Sequence, residues 1–375
     1  MAEQKKHYDW VLIGVTFLLG IFGLLMVYSA SFPLGIDIAD NPTHFFTRQV
    51  MWFVIGVVVF FIALHFPYTH YQKLTPFIVG VCILLLLAVI LVGTEVNGAR
   101  RWLSFGPFRL QPSEFVKLAV IIYLANVYSK KQHYITHFVR GVLPPLVVVV
   151  FMFGLIILQP DLGTGIMVLL IGGTIVFLSG AKWVHLGTLA LLGGGVAAFL
   201  AMQEPYRVQR LVAFRDPFAW EIEGSGHQLI QSYIAIASGG VTGNGLGQSV
   251  QKMHYLPEPH TDFIFAVIAE ELGLLGLLFV VACFAVIALR GFAVGRSSRD
   301  TFGKLLAFGI VFFLLMQALF NLAAATGLMP ITGITLPMIS YGGSSLLVCM
   351  LGLGILANIS RTTKKRLEKE KGLAL

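Results

Sequence analysis

The chain has 375 residues, 57% of them apolar and only 12% charged, with a formal net charge of +8. So few charged groups cannot clothe a soluble globule, so the composition excludes a water-soluble fold and identifies a polytopic membrane protein. The basic excess is what an anionic inner leaflet attracts, and no nucleic-acid-binding motif accompanies it.

Apolar runs of roughly 20 residues, enough to cross about 30 Å of hydrocarbon, fall at 10–30, 46–66, 76–93, 112–129, 141–158, 163–179, 183–202, 262–289, 302–326 and 340–360. They predict an all-α integral membrane protein of about ten transmembrane helices, with 1–375 forming a single membrane domain. Lys5 and Lys6 precede the first run without a small-residue cleavage site, so it reads as a retained anchor. With the N-terminus inside, the inner loops collect Lys130, Lys131, Arg140, Arg290, Arg296, Arg299 and Lys304, and 361–375 is a basic tail containing Lys369 and Lys371. Acids such as Asp37, Glu95, Asp161, Glu204, Glu221, Glu223, Glu258 and Asp262 sort to the other side. Both termini are therefore expected in the cytoplasm, with the polar chemistry on the outer face.

Between the third and fourth runs, Arg100, Arg101 and Arg109 surround Trp102. The fourth run opens Gln111-Pro112-Ser113-Glu114, where Glu114 either answers the helix dipole or forms a buried pair with Lys117 three residues on. Gln159-Pro160-Asp161 joins the fifth and sixth runs, and Asp161 either caps the sixth helix or serves a ligand. Between the seventh and eighth lies a large extracytoplasmic loop, 203–261, which is long enough to require internal order. It carries Arg207, Arg210 and Arg215 beside Tyr206, then a short amphipathic or re-entrant helix at 228–238 closed by Gly239-Gly240. Arginine on the outer side runs against the positive-inside bias, which suits either a phosphate clamp or snorkelling side chains.

That loop ends Tyr255-Leu256-Pro257-Glu258-Pro259-His260-Thr261-Asp262 and enters hydrocarbon at Phe263. A carboxylate at this lip is a functional candidate, with helix capping as the alternative. Glu270 and Glu271 would lie about 12 Å below it on a straight helix, either protonated, paired with another helix or part of an ion path. The last outer loop, 327–345, is rich in Gly and Pro and suits irregular backbone lining a cleft or close helix packing. Cys82, Cys283 and Cys349 lie in apolar runs as packing residues, and Gly243-Asn244-Gly245-Leu246-Gly247 lacks the Lys-Ser/Thr of a phosphate loop, so no nucleotide is expected.

These motifs, in this order, resemble the SEDS family of cell-wall polymerases, the group of FtsW, RodA and SpoVE. The resemblance rests on Tyr28-Ser29-Ala30-Ser31, Arg48-Gln49, Asn97-Gly98-Ala99-Arg100-Arg101-Trp102, Gln111-Pro112-Ser113-Glu114, Gln159-Pro160-Asp161, the block 245–273, Pro330-Ile331-Thr332-Gly333 and Ser340-Tyr341-Gly342-Gly343-Ser344-Ser345. The 245–262 stretch looks more like the FtsW branch than the RodA branch. The resemblance implies a glycosyltransferase that polymerises lipid II on the outer face of the bacterial cell membrane, with a class B penicillin-binding protein and other divisome membrane proteins as partners. It implies Asp262, Glu114 and Lys117 as catalytic residues. Arg48, Arg100, Arg101, Trp102, Asp161, Arg207, Arg210, Lys252, His260, Ser344 and Ser345 would bind substrate. Asp262 would act as a base or hold a divalent cation, magnesium or manganese. An elongation or sporulation role is the alternative within the family. A lipid-precursor flippase, an ion-coupled transporter using Glu270 and Glu271, or a non-catalytic scaffold are the alternatives outside that activity.

Overall fold

The computed structural model describes residues 7–96, 98–106, 108–218 and 224–373. Lys5, Lys6, Asn97, Glu221 and Glu223 lie outside these residues, as do the side chains of Tyr206, Lys369 and Lys371. Helices occupy all the predicted apolar runs: α1 (Trp10–Ala39), α2 (His44–His65), α3 (His70–Val92), α4 (Pro112–Lys130), α5 (Leu143–Ile157), α6 (Leu162–Leu178), α7 (Trp183–Gln203), α10 (Ile264–Ser297), α11 (Thr301–Ala325) and α12 (Gly343–Leu373). Two further helices, α8 (Pro205–Arg215) and α9 (Ser225–Gly239), lie in the long seventh connection. Among the described residues, 8 helices are long and apolar enough to cross a membrane.

Short polar side chains start several of these helices by answering their orphan amides. Asp9 accepts from Leu12 N at the head of α1, Asp161 from Thr164 N at α6, and Asp300 from Gly303 N at α11. Helix α4 carries the internal charges and is walled by α3, α6 and α11, so its polar groups meet protein rather than lipid. Helix α7 shows the reverse: none of its residues is buried, consistent with an apolar surface left to lipid.

A small antiparallel sheet between α3 and α4 has no counterpart in the hydropathy reading: β1 (Thr94–Val96), β2 (Ala99–Phe105) and β3 (Phe108–Leu110). Gly98 and Gly106, both with positive φ, turn the chain between its strands. The Asn97-Gly98 dipeptide is the local signal for the first turn.

Helix α10 is broken at Gly273, where φ is 63° and ψ −157°. The turn after α9 docks into the break and repairs its hydrogen bonding. Asn244 N donates to Glu270 O (3.0 Å) and Gly245 N to Glu271 O (2.9 Å), while Leu274 N donates to Gly240 O (3.0 Å) and Leu275 N to Val241 O (3.3 Å). Backbones approach this closely only where side chains are missing. A Cβ on Gly239 would lie 1.8 Å from Ala269 O, and one on Gly243 2.2 Å from Glu271 O.

Contacts with α1 set the level of Glu271 in the bilayer. Asp9 pairs with Arg290 (2.7 Å) and Ser29 with Glu271 (2.6 Å) across antiparallel α1 and α10. Those two contacts are about 28 Å apart along the helices at 1.5 Å per residue. Glu271 therefore sits nearly a full hydrocarbon thickness from the Arg290 end, not at mid-depth.

Gly243→Ala combines a φ of +78° with a backbone clash and should cost at least about 3 kcal/mol. Folded yield and melting temperature in detergent will report it; a variant that melts with the wild type would contradict the interlocked turn.

Candidate active site

Asp262 caps nothing. The N-cap of α10 is Phe263, and that end has no side-chain capping bond. The backbone on either side is nonetheless held firmly: Asn321 Nδ2 donates to Asp262 O (2.9 Å), Ser340 Oγ to Thr261 O (2.6 Å) and Tyr341 N to His260 O (2.9 Å). Opposite the carboxylate lies Gly333, whose Cβ, if present, would sit 3.7 Å from Oδ2. The side chain is half-buried, partly open yet surrounded densely enough that desolvation dominates its ionisation. Burial first and Glu258 second push its carboxyl up from 3.8 to about 6, against the opposing pull of Arg210 and Arg101.

Strand alternation explains which arginine reaches the site. Arg101 turns inward, donating through Nε to Gln159 O (3.3 Å) and through Nη2 to Pro160 O. Arg100 turns outward to Glu95 (3.4 Å), and Trp102 is half-buried. Arg210, on α8, donates to Ile331 O (3.2 Å) and is close enough to act on the Asp262 carboxyl. A second basic group adjoins: Arg48 hydrogen-bonds to Tyr341, and Arg109 acts on the same phenol. His260 lies against Phe45 (4.7 Å) and Tyr341 (5.4 Å). Burial pushes its imidazole down to about 4, so it is neutral at physiological pH, and its Nδ1 has no partner.

Glu114 and Lys117 form the buried pair at 2.8 Å, and the α4 N-cap is Gln111 rather than a Glu114-mediated cap. The Lys117 ammonium also donates to Gln317 Oε1 (2.8 Å), whose Nε2 donates to Thr335 O (3.1 Å) and Ser345 Oγ (3.0 Å). One turn on, Asn321 donates to both Ile334 O (2.8 Å) and Asp262 O. Through these bonds the pair supports the 333–336 backbone beside Asp262. Asp161 both caps α6 and accepts from Gln111 Nε2 (3.1 Å) and Ser113 Oγ (3.2 Å), while Ser344 Oγ accepts from Gln111 N (2.8 Å). Asp161, Ser344 and Ser345 are thus bound up in protein contacts at the head of α4.

Two expected ligand contacts are corrected. Lys252 is 5% exposed, and its ammonium is committed to Glu271 (2.7 Å) and Ser29 (3.0 Å), leaving no cation for a phosphate. Arg207 is buried at the α7–α8 junction and donates to Leu200 O (2.8 Å). Arg100 pairs with Glu95 in an exposed part of the hairpin.

With this geometry in hand, relatives can be compared. Residues 9–365 match the family model for the FtsW, RodA and SpoVE cell cycle proteins. The chain belongs to that family. Across 99% of its length and 95% of the relative's, it is 43% identical to a probable peptidoglycan glycosyltransferase FtsW of Bacillus subtilis. It is 41% identical to the stage V sporulation protein E of the same organism, over 97% and 100%. Among solved structures it resembles a chain from a peptidoglycan synthase complex that coordinates polymerisation and crosslinking, with a TM-score of 0.77 at 28% identity, covering 95% and 98% of the two chains. The RodA rod shape determining protein of Thermus thermophilus gives 0.69 at 29%, covering 94% and 97%.

In this family member, no three His, Cys, Asp or Glu side chains among the described residues converge as a ligand set. The donors around Asp262 do not fit an all-protein metal cage, since Arg101 and Arg210 occupy its flanks. Gln317 and Asn321 were missed as site residues although each is a buried amide within an apolar run, which is itself a signal.

A carboxyl whose folded pKa is raised binds a proton that the unfolded chain releases, so its contribution to stability falls as pH rises from 3.8 to about 6. The upper bound is about 3 kcal/mol, which partial exposure reduces to about 1 kcal/mol. Asp262→Asn should therefore raise the melting temperature at pH 8, with the gain shrinking toward pH 4. A lowered melting temperature at pH 8 would mean that the carboxylate is stabilising instead.

Proposed function

We propose that this chain polymerises lipid II into glycan strands, with Asp262 as the general base. The carrying observation is a half-buried carboxylate that caps no helix, raised to about 6 and flanked by Arg101 and Arg210. A base must lose its proton near working pH, and a departing lipid diphosphate needs fixed positive charge; both requirements have residues here. Asp262 takes the proton from the acceptor sugar's 4-hydroxyl as that oxygen bonds to the donor's anomeric carbon. The bond to the diphosphate breaks, and its electron pair leaves with the phosphate oxygen toward the arginines. Arg48 and Arg109 beside Tyr341 supply a further contact for an anionic group. A participating divalent cation would rest on Asp262 and the substrate's phosphate oxygens.

The site faces the outside and both termini the cytoplasm, as the loop cations require. A class B penicillin-binding protein is the proposed partner, supported by the likeness to a synthase complex. Septal synthesis during division is favoured by the FtsW-like 245–262 stretch and the FtsW relatives. The transporter reading loses its main support, because Glu270 and Glu271 are off mid-depth and already bonded.

The test is polymerisation of lipid II by the purified chain with its transpeptidase partner, with and without added magnesium or manganese. Asp262→Asn should remain folded and lose at least about 100-fold in turnover. Near wild-type polymerisation by this variant would refute the assigned base.

A further inference from the structure

The two acids that the proposed chemistry leaves unused sit in the last turn before the break in α10 and grip the 249–252 segment and α1. Glu271 accepts from Ser29 Oγ (2.6 and 2.8 Å) and pairs with Lys252 (2.7 Å), whose ammonium also donates to Ser29 (3.0 Å). Its neighbour Glu270 accepts from Ser249 Oγ and from Val250 N (2.8 Å). Glu271 and Glu270 are at most 1% exposed. Four consecutive residues, 249–252, are thus tied to one turn of helix and, through Ser29, to α1.

We infer that Lys252, Glu271 and Ser29 are positioning residues that hold the short arm of α10, and with it Asp262, at the angle the reaction needs. The arm runs from Ile264 to the break at Gly273, and Asp262 lies just beyond its free end. From Glu271 to Asp262 is about 13 Å at 1.5 Å per residue. A rotation of about 5° at the break would therefore move the carboxylate by about 1 Å, a displacement that can cost about 100-fold in rate. The Asp262 end is pinned only through backbone oxygens, to Asn321, Ser340 and Tyr341. The connecting strap 253–261 contains no helix or strand and holds His254 and Glu258 at positive φ. A buried ion pair is a poor source of stability, and apolar replacements of similar volume are often neutral or stabilising. Its geometric specificity is what remains to explain it.

This inference rests on Asp262 acting as the base. The test compares Lys252→Met, Glu271→Gln, Lys252→Arg and the double variant Lys252→Met/Glu271→Leu in the full chain with its partner and lipid II. Lys252→Met and Glu271→Gln should each lower kcat about 10- to 100-fold with KM within about threefold, and Lys252→Arg should recover most of the rate. The apolar double variant should melt at or above wild type yet stay slow. Wild-type kcat in that double variant overturns the inference, as does a Lys252→Met variant whose KM rises at unchanged kcat. Hydrogen exchange of the 258–266 amides should accelerate at least about threefold in the single variants; unchanged exchange also overturns the inference, even if the wild-type chain makes no glycan. Absence of wild-type polymer with accelerated exchange would sink the proposed function alone.

Discussion

A carboxylate kept in low-dielectric surroundings without a helix to cap is the constraint around which this fold is arranged. Among the described residues the Asp262 side chain makes no hydrogen bond or ion pair, and burial together with Glu258 raises its proton affinity. Charge at such a place is expensive. Its persistence demands that the surrounding backbone be fixed from elsewhere, since the side chain itself supplies no anchoring bond. Asn321, Ser340 and Tyr341 do that fixing through carbonyl oxygens, which leaves the carboxylate free for substrate.

Beneath this point the helices form a polar scaffold inside an apolar bundle. Lys117 links Glu114 to Gln317, and Gln317 carries the connection to Thr335 and Ser345. Irregular backbone from 327 to 342 can exist at this depth because α11 amides satisfy part of it, as membrane interiors require. On the far side, the turn after α9 completes the hydrogen bonding of a broken helix. Two non-helical segments, each supported by a transmembrane helix, thus hold the two ends of the short arm of α10, one beside Asp262 and the other at the break.

Much of this was legible in the chain. Hydropathy located the spanning helices because each must satisfy its backbone internally over a fixed thickness, and the acid at the foot of the last long loop stood out against that background. The helix at 228–238 was visible from its length and its closing glycines. Contacts between distant segments were not visible. Lys252 looked like a phosphate cation because its partner, Glu271, meets it only through the packing of the long loop against α10. The opposite fates of Arg100 and Arg101 depend on strand pairing in a three-stranded sheet too short for hydropathy to register. The level of Glu271 relative to the rest of the bundle is likewise set by Ser29 on α1, which local spacing cannot reveal.

The most direct measurement is the pH dependence of kcat/KM for lipid II polymerisation in the wild type and two charge-removal variants. An ionised base predicts a rate that climbs tenfold per pH unit below about 6 and levels off above it. Glu258→Gln should move that acid limb to lower pH and Arg210→Gln to higher pH, because the first removes a charge that favours the proton on Asp262 and the second one that opposes it. A limb that stays in place in both variants, or is absent from the wild type, would contradict the assignment of Asp262 as the group that takes the sugar's proton.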